Sequence, residues 1–271
     1  MRIAPFGVEQ WMNEYETRCS LNLAETCVES LTVSQLLELA DVDDLNAQLL
    51  PMKLTYGAIE GSDRLRAAVA ALHENQTASN VVITHGAIGA NHLVHLTLVE
   101  PGDRVVSVLP TYQQHYSIPE SIGADVRILR LREENGWLPD LGELAGLVDG
   151  GAKLVAINNP NNPTGSLMDR AMLEQIVAIC EGAGAWLLCD EVYRGIDQHD
   201  PGTTVSVADL YDRGISTGSM SKAFSLAGLR LGWVVGSQNL IHQLSVQRDY
   251  STISVGMVDD LLATIALESA D

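Results

Sequence analysis

Basic side chains are scarce in this chain: 16 Lys and Arg stand against 35 Asp and Glu, leaving a formal charge of −19 over 271 residues. A surface this negative repels phosphate backbones and anionic lipid heads, which argues against nucleic acid or a membrane as partner. Lysine occurs only as Lys53, Lys153 and Lys222, so a lysine inside a motif stands out. Cys19, Cys27, Cys180 and Cys189 form no CxxC pair and no His-flanked metal spacing, and no metal is expected. Cys180 and Cys189 lie in the apolar runs IVAIC and WLLCD, as small buried hydrophobes do. No apolar run approaches a membrane span, and the opening MRIAPFGVEQWMNEYE lacks the apolar stretch of a signal peptide. The expected setting is a reduced cytoplasm. Repeats and low-complexity segments are absent, and a hydrophobic share of 46% excludes disorder, collagen-like repeats and a long coiled coil.

From about residue 60 onward, helix-period segments alternate with short β-branched runs. Ser62 is placed to cap a helix in which Leu65, Val69 and Leu72 share one face. Strands are expected at Val81–Ile83, 104–110, 125–131, 153–158, 185–191, near 214–218 and at 231–236, with helices between most of them. Such repeated β-then-α units with continuously apolar strands imply an α/β fold, a mostly parallel central sheet flanked by helices. Residues 1–55 are less regular around a helix near 33–40 and read as an arm or small-domain element; residues 56–271 read as the large domain. The last stretch, SVGMVDDLLATIALESAD, is still helical in pattern without an evident cap, so the ending reads as mid-structure, as in a truncated product.

Ligands of parallel α/β folds collect where strands end and helices begin, and four such ends carry unusual residues. The first is His85-Gly86-Ala87-Ile88-Gly89, where small residues open a helix whose N–H groups and dipole suit an anion. The second is Asn159-Pro160-Asn161-Asn162-Pro163-Thr164-Gly165, which is turn chemistry in any protein. The third is Asp190-Glu191-Val192-Tyr193, where a carboxylate at the end of an apolar strand is costly unless paired. The fourth is Ser219-Met220-Ser221-Lys222, followed by Gly228-Leu229-Arg230-Leu231-Gly232-Trp233.

In order and spacing, NNPTG, DEVY and SxSK followed by GLRLGW resemble the fold-type I pyridoxal-phosphate (PLP) enzymes of the class I/II aminotransferase family, over roughly residues 20–255. The resemblance implies PLP as cofactor and a PLP-dependent transferase-like large domain. It implies that Lys222 holds the cofactor's aldehyde as an imine and then moves a proton as acid and base. Asp190 would pair with the pyridine nitrogen. The Tyr193 hydroxyl and the Asn162 amide would donate to the phenolate oxygen. Gly86, Ala87 and Ile88, with Ser219 and Arg230, would hold the phosphate, an arginine suiting a dianion. Tyr112 would stack on the ring, and Tyr56 would reach the phosphate of a neighbouring subunit, which requires a homodimer.

Plainer readings stand beside these: a solvated Lys222, Asp190 capping a turn, Tyr193 and Tyr112 as packed aromatics, Ser219 as a helix cap, Arg230 in a surface salt bridge. Tyr56 would be loop. Arg248 in QRDYSTIS reads first as an ordinary surface arginine and second as a contact to a substrate's distal group. His85, His92, His95 and His115 read as helix-face or loop residues, with His85 nearest the phosphate turn.

The implied activity is transfer of an amino group from an L-amino acid to a 2-oxo acid. The resemblance implies a C-terminal small domain after residue 271, carrying the arginine with which the family holds the substrate carboxylate. Ala24-Glu25 stands near where the family often has a glycine. The segments PFGVEQWMNEYE, RDYSTIS and ALESAD are similar to the capreomycidine-synthase-like branch, whose members eliminate and cyclise a hydroxylated arginine. That similarity implies a PLP lyase or cyclase as the alternative; a non-catalytic PLP-binding fragment is a further one.

Overall fold

The computed structural model describes residues 3–16, 18–24, 26, 28–196 and 202–270; Glu25 and Cys27, named above, lie outside them. The helices are α1 (Gly7–Tyr15), α2 (Val33–Leu39), α3 (Asn46–Leu49), α4 (Asp63–Ala71), α5 (Gly86–Leu98) and α6 (Gln114–Ile122). They continue with α7 (Leu141–Val148), α8 (Arg170–Ala183), α9 (Val207–Leu210), α10 (Gln238–Arg248) and α11 (Met257–Glu268). The strands are β1 (Val81–Thr84), β2 (Arg104–Leu109), β3 (Asp125–Arg130), β4 (Leu154–Asn158), β5 (Trp186–Asp190), β6 (Gly214–Ser219) and β7 (Gly232–Val235). Local signals set many boundaries. The side chains of Ser62, Asp140, Asp169 and Ser237 accept backbone N–H bonds at the starts of α4, α7, α8 and α10.

One seven-stranded sheet runs in the order β1-β7-β6-β5-β4-β2-β3. Only β7 pairs antiparallel, with β1 and with β6. It reverses because residues 220–231 contain no α-helix to carry the chain back across the sheet. Successive strand residues face opposite layers. On β4 and β5, Ile157 and Leu187 enter a core with Leu144, Leu173 and Ile176 from α7 and α8. Their neighbours Ala156 and Leu188 enter the opposite core with Leu93, Val94 and Leu240 from α5 and α10. A third cluster joins Ile83 and Trp233 to Leu65 and Val69 of α4 and to Leu262 of α11. Cys180 and Cys189 are buried, and burial pushes the Cys180 thiol up to about 12.

The N-terminal region departs from its irregular reading. Residues 7–15 form a helix in which Val8, Trp11, Met12 and Tyr15 follow helical spacing, yet none of its side chains is buried. Gln113, at the start of α6, holds it at its beginning: its Nε2 donates to the Pro5 carbonyl at 2.8 Å, and the Gly7 N–H donates to its Oε1 at 2.9 Å. Leu36 of α2 is buried in the third cluster.

Arg248 is a correction. It is 2% exposed and donates through Nη1 to the Ile83 carbonyl. The Ile83 N–H donates to the Glu60 carbonyl at 2.9 Å. Both backbone groups of Ile83 are thus occupied, which blunts the sheet edge there. Among the described residues no helix is long and apolar enough to cross a membrane.

Candidate active site

The sheet register brings the four unusual strand ends together. Asn158 pairs with Asp190, Asp190 with Thr217, Ser219 with Gly232 and Gly232 with Thr84. The C-terminal ends of β4, β5, β6 and β1 therefore lie on one rim, beside the start of β7. Gly232 is required for this meeting: a Cβ there would lie 2.4 Å from the Gly86 carbonyl carbon and 2.6 Å from the Ala87 nitrogen. No other residue lets β7 approach the first turn of α5 so closely.

That first turn is shaped for an anion. Gly86 sits at φ +68, and His85 at the N-cap makes no side-chain cap. The first N–H groups of any helix lack intrahelical partners. Arg230 presents Nη2 at 3.3 Å from the position that a Gly86 Cβ would occupy, and its Nη1 donates to the Ala227 carbonyl at 2.9 Å. Ser219 is buried, and its Oγ accepts from the Ser221 N–H at 3.2 Å. An open helix start beside a permanent cation is a natural seat for a phosphate dianion.

Asp190 is 4% exposed at the end of β5 and is not a turn cap alone. Its Oδ2 faces Asn91 Nδ2 at 2.7 Å and His115 Nε2 at 3.3 Å, and its Oδ1 accepts from the Val192 N–H at 3.1 Å. Its carbonyl accepts from Asn158 Nδ2 at 2.7 Å, while Asn158 Oδ1 accepts from the Asn162 N–H at 2.6 Å. One buried asparagine thus ties the NNPTG turn to the Asp190 backbone. His115, read above as a helix-face or loop residue, is fully buried against this carboxylate.

Lys222 Nζ lies 3.4 Å from Thr26 Oγ1, which lies 2.9 Å from the Tyr193 hydroxyl. A threonine from the N-terminal segment therefore bridges the lysine and the tyrosine. The Tyr112 ring packs on Phe6 at 4.8 Å between centroids, and its hydroxyl donates to Glu9 Oε1 at 2.9 Å. Burial, with Glu9 next, raises the Tyr112 phenol. Tyr56 stands apart: it is 77% exposed, and among the described residues no hydrogen bond joins it to the others. Thr26, Asn91, His115, Asn158 and Glu9 were absent from the candidates above. A signal existed for Asn91 and Asn158, as amides in otherwise apolar elements; none existed for Thr26 or Glu9.

Glu191, the neighbour of Asp190, is buried with Oε1 accepting from Ser206 Oγ and the Val207 N–H, both at 3.0 Å, and Oε2 accepting from Ser216 Oγ at 2.8 Å. Burial pushes its carboxyl from 4.5 up to about 7, against the opposing pull of Arg194 and these donors. A folded value above the unfolded one means stability fully present below 4.5 and lost as pH rises through about 7. Between about pH 5 and pH 8 the unfolding free energy of the wild type should fall by up to about 3 kcal/mol relative to Glu191→Gln. Denaturant midpoints of both proteins check this, and a pH-independent difference would contradict it.

The family model for aminotransferase class I and II matches residues 33–270. The chain belongs to that family. It is 33% identical to capreomycidine synthase of Streptomyces vinaceus over 97% of this chain and 68% of the relative. A PLP-dependent aminotransferase structure from Streptococcus suis superposes with a TM-score of 0.95 and 43% identity, covering 99% of this chain and 72% of that one. The PLP-dependent cyclase OrfR superposes with a TM-score of 0.90 and 26% identity, covering 100% and 70%. The chain spans about half the length of several curated aminotransferases that it matches.

The cofactor of this class I/II chain is pyridoxal 5′-phosphate. The residues present fit it: an uncapped helix start beside Arg230, a buried carboxylate at a strand end, and a lysine linked through the Thr26 hydroxyl to that of Tyr193.

Proposed function

We propose that this chain is the PLP-binding part of an aminotransferase that moves an amino group from an L-amino acid to a 2-oxo acid. The observation that carries the reading is the convergence of the Lys222 amine, the Tyr193 hydroxyl and the buried Asp190 carboxylate around one strand rim. Bound PLP supplies an electron sink for the bond broken at the substrate's Cα. In this reading Lys222 Nζ anchors the cofactor and carries the proton at the reacting carbon. Asp190 holds the proton of the ring nitrogen, and Tyr193 and Asn162 donate to the phenolate oxygen. Arg230, Ser219 and the N–H groups of Gly86, Ala87 and Ile88 hold the phosphate. Tyr112 lies against the ring.

Residues 1–55 act as an arm and small-domain element, and residues 56–271 as the cofactor-binding large domain. Two copies pair, and the exposed Tyr56 reaches the neighbouring site. The buried free thiols of Cys180 and Cys189 support a reducing, cytoplasmic setting.

A second reading is a PLP cyclase or lyase on the same cofactor residues, favoured by identity to capreomycidine synthase along 97% of the chain. The cofactor residues set electron withdrawal and leave open what departs from the substrate. The deciding experiment adds PLP, follows the visible band before and after borohydride, and maps the modified peptide. A panel of amino acids, including basic ones, is then assayed for 2-oxo acid and for ammonia or cyclic product. A trapped Lys222 peptide with 2-oxo acid supports the aminotransferase, and cyclic product or ammonia alone supports the second reading. Failure to trap Lys222 overturns both.

A further inference from the structure

Asn91 occupies the interior of α5 between Ala90 and Leu93, on the apolar face packed against the sheet, and is 1% exposed. An amide buried there is costly unless both its ends are bonded. Both are: Thr217 Oγ1 donates to Asn91 Oδ1 at 2.7 Å, and Asn91 Nδ2 donates to Asp190 Oδ2 at 2.7 Å. The carboxylate only accepts while the threonine hydroxyl can donate, so the pair admits one orientation of the amide. Thr217 and Asp190 face each other across β5 and β6, which closes a triangle among two strands and the helix.

Of the two side chains that reach Oδ2, Asn91 makes the shorter contact, 2.7 Å against 3.3 Å for His115. It also sits on the helix whose first turn, Gly86–Ile88, faces Arg230. Five helical steps lead from Gly86 to Asn91, a rise of about 7.5 Å.

We propose that Asn91, locked by Thr217, is a positioning residue that sets the direction of the Asp190 carboxylate. Helix α5 thereby fixes the seat of the phosphate and the group that meets the ring nitrogen at one separation. This inference rests on the PLP reading above and adds to it a residue pair with no role in phosphate, lysine or ring contacts.

The test uses Asn91→Leu and Thr217→Val, each in the wild type and in an Asp190→Ala background. It reads the dissociation constant for PLP, the position and pH titration of the visible band, and the melting temperature without cofactor. In the wild type, Asn91→Leu is expected to weaken PLP binding by about tenfold or more and to move the pH titration of the band. In Asp190→Ala the same change should alter the dissociation constant by less than about twofold, because a residue acting through Asp190 has nothing left to position. Equal losses in both backgrounds overturn the proposal. So does a lowered melting temperature with unchanged binding and band, which is the signature of packing alone.

If Asn91→Leu does not fold, Thr217→Val decides, since it leaves Asp190 its direct donor and removes only the lock. An unchanged band and dissociation constant in that variant overturn the proposal; weaker binding that vanishes in Asp190→Ala supports it. A wild type that traps PLP on Lys222 while both variants behave normally sinks this inference alone. A wild type that traps nothing on Lys222 sinks the PLP reading, and this inference with it.

Discussion

Lys222→Ala is expected to lose covalent trapping of PLP and to lower turnover by about 10⁴-fold or more. Lys153 lies next to the start of β4, at the opposite end of that strand from Asn158, whereas the Lys222 side chain follows the end of β6 on the strand rim. Removing it takes away both the covalent anchor and the proton carrier, two functions on one nitrogen. Arg230 and the open start of α5 remain, so the variant should still bind PLP without a covalent bond. Borohydride reduction followed by peptide mass mapping reads the first effect, and single-turnover assays read the second. Lys222→Arg keeps the charge but should rescue neither, because a guanidinium is not a nucleophile near neutral pH. An Lys222→Ala protein with wild-type turnover would end the proposed mechanism.

Asp190→Asn is expected to lower turnover by about 10²–10³-fold, because a neutral amide stabilises charge on the ring nitrogen far less than a carboxylate does. The geometry adds a second effect. Asn91 Nδ2 donates to Oδ2 and the Val192 N–H donates to Oδ1, so each carboxylate oxygen faces a donor. An amide has one oxygen and one NH2, so while Asn91 keeps its orientation a donor meets a donor whichever way it turns. Stability should fall by about 1–3 kcal/mol for that unsatisfied contact. Kinetics, the PLP dissociation constant and denaturant midpoints read the two effects separately. Wild-type kcat in Asp190→Asn would remove Asp190 from its proposed role.

These two residues were legible in the sequence because their signals are local. A lysine among serines ahead of GLRLGW, and an aspartate closing WLLC, declare themselves within a few positions. Their supports did not. Thr26 meets Tyr193 across 167 residues, Glu9 meets Tyr112 across 103, and Asn91 meets Asp190 across 99. Nothing near those positions encodes the partner. Arg248 misled for the same reason: a charge ending a helix looks solvated until the β1 edge is laid over it.

The sequence by itself determined the α/β class, most strands to within a residue or two, the capped helix starts, and the chemistry-bearing strand ends. Each follows from short-range preferences, β-branched runs, caps and turn residues, that operate over fewer than about ten positions. The tertiary structure decided the reversal of β7, the burial of Arg248 and the network around Asp190. Those depend on which strands become neighbours and in what register. One shift in register turns every side chain to the other face, so a polar partner is chosen by packing and cannot be read from either residue alone.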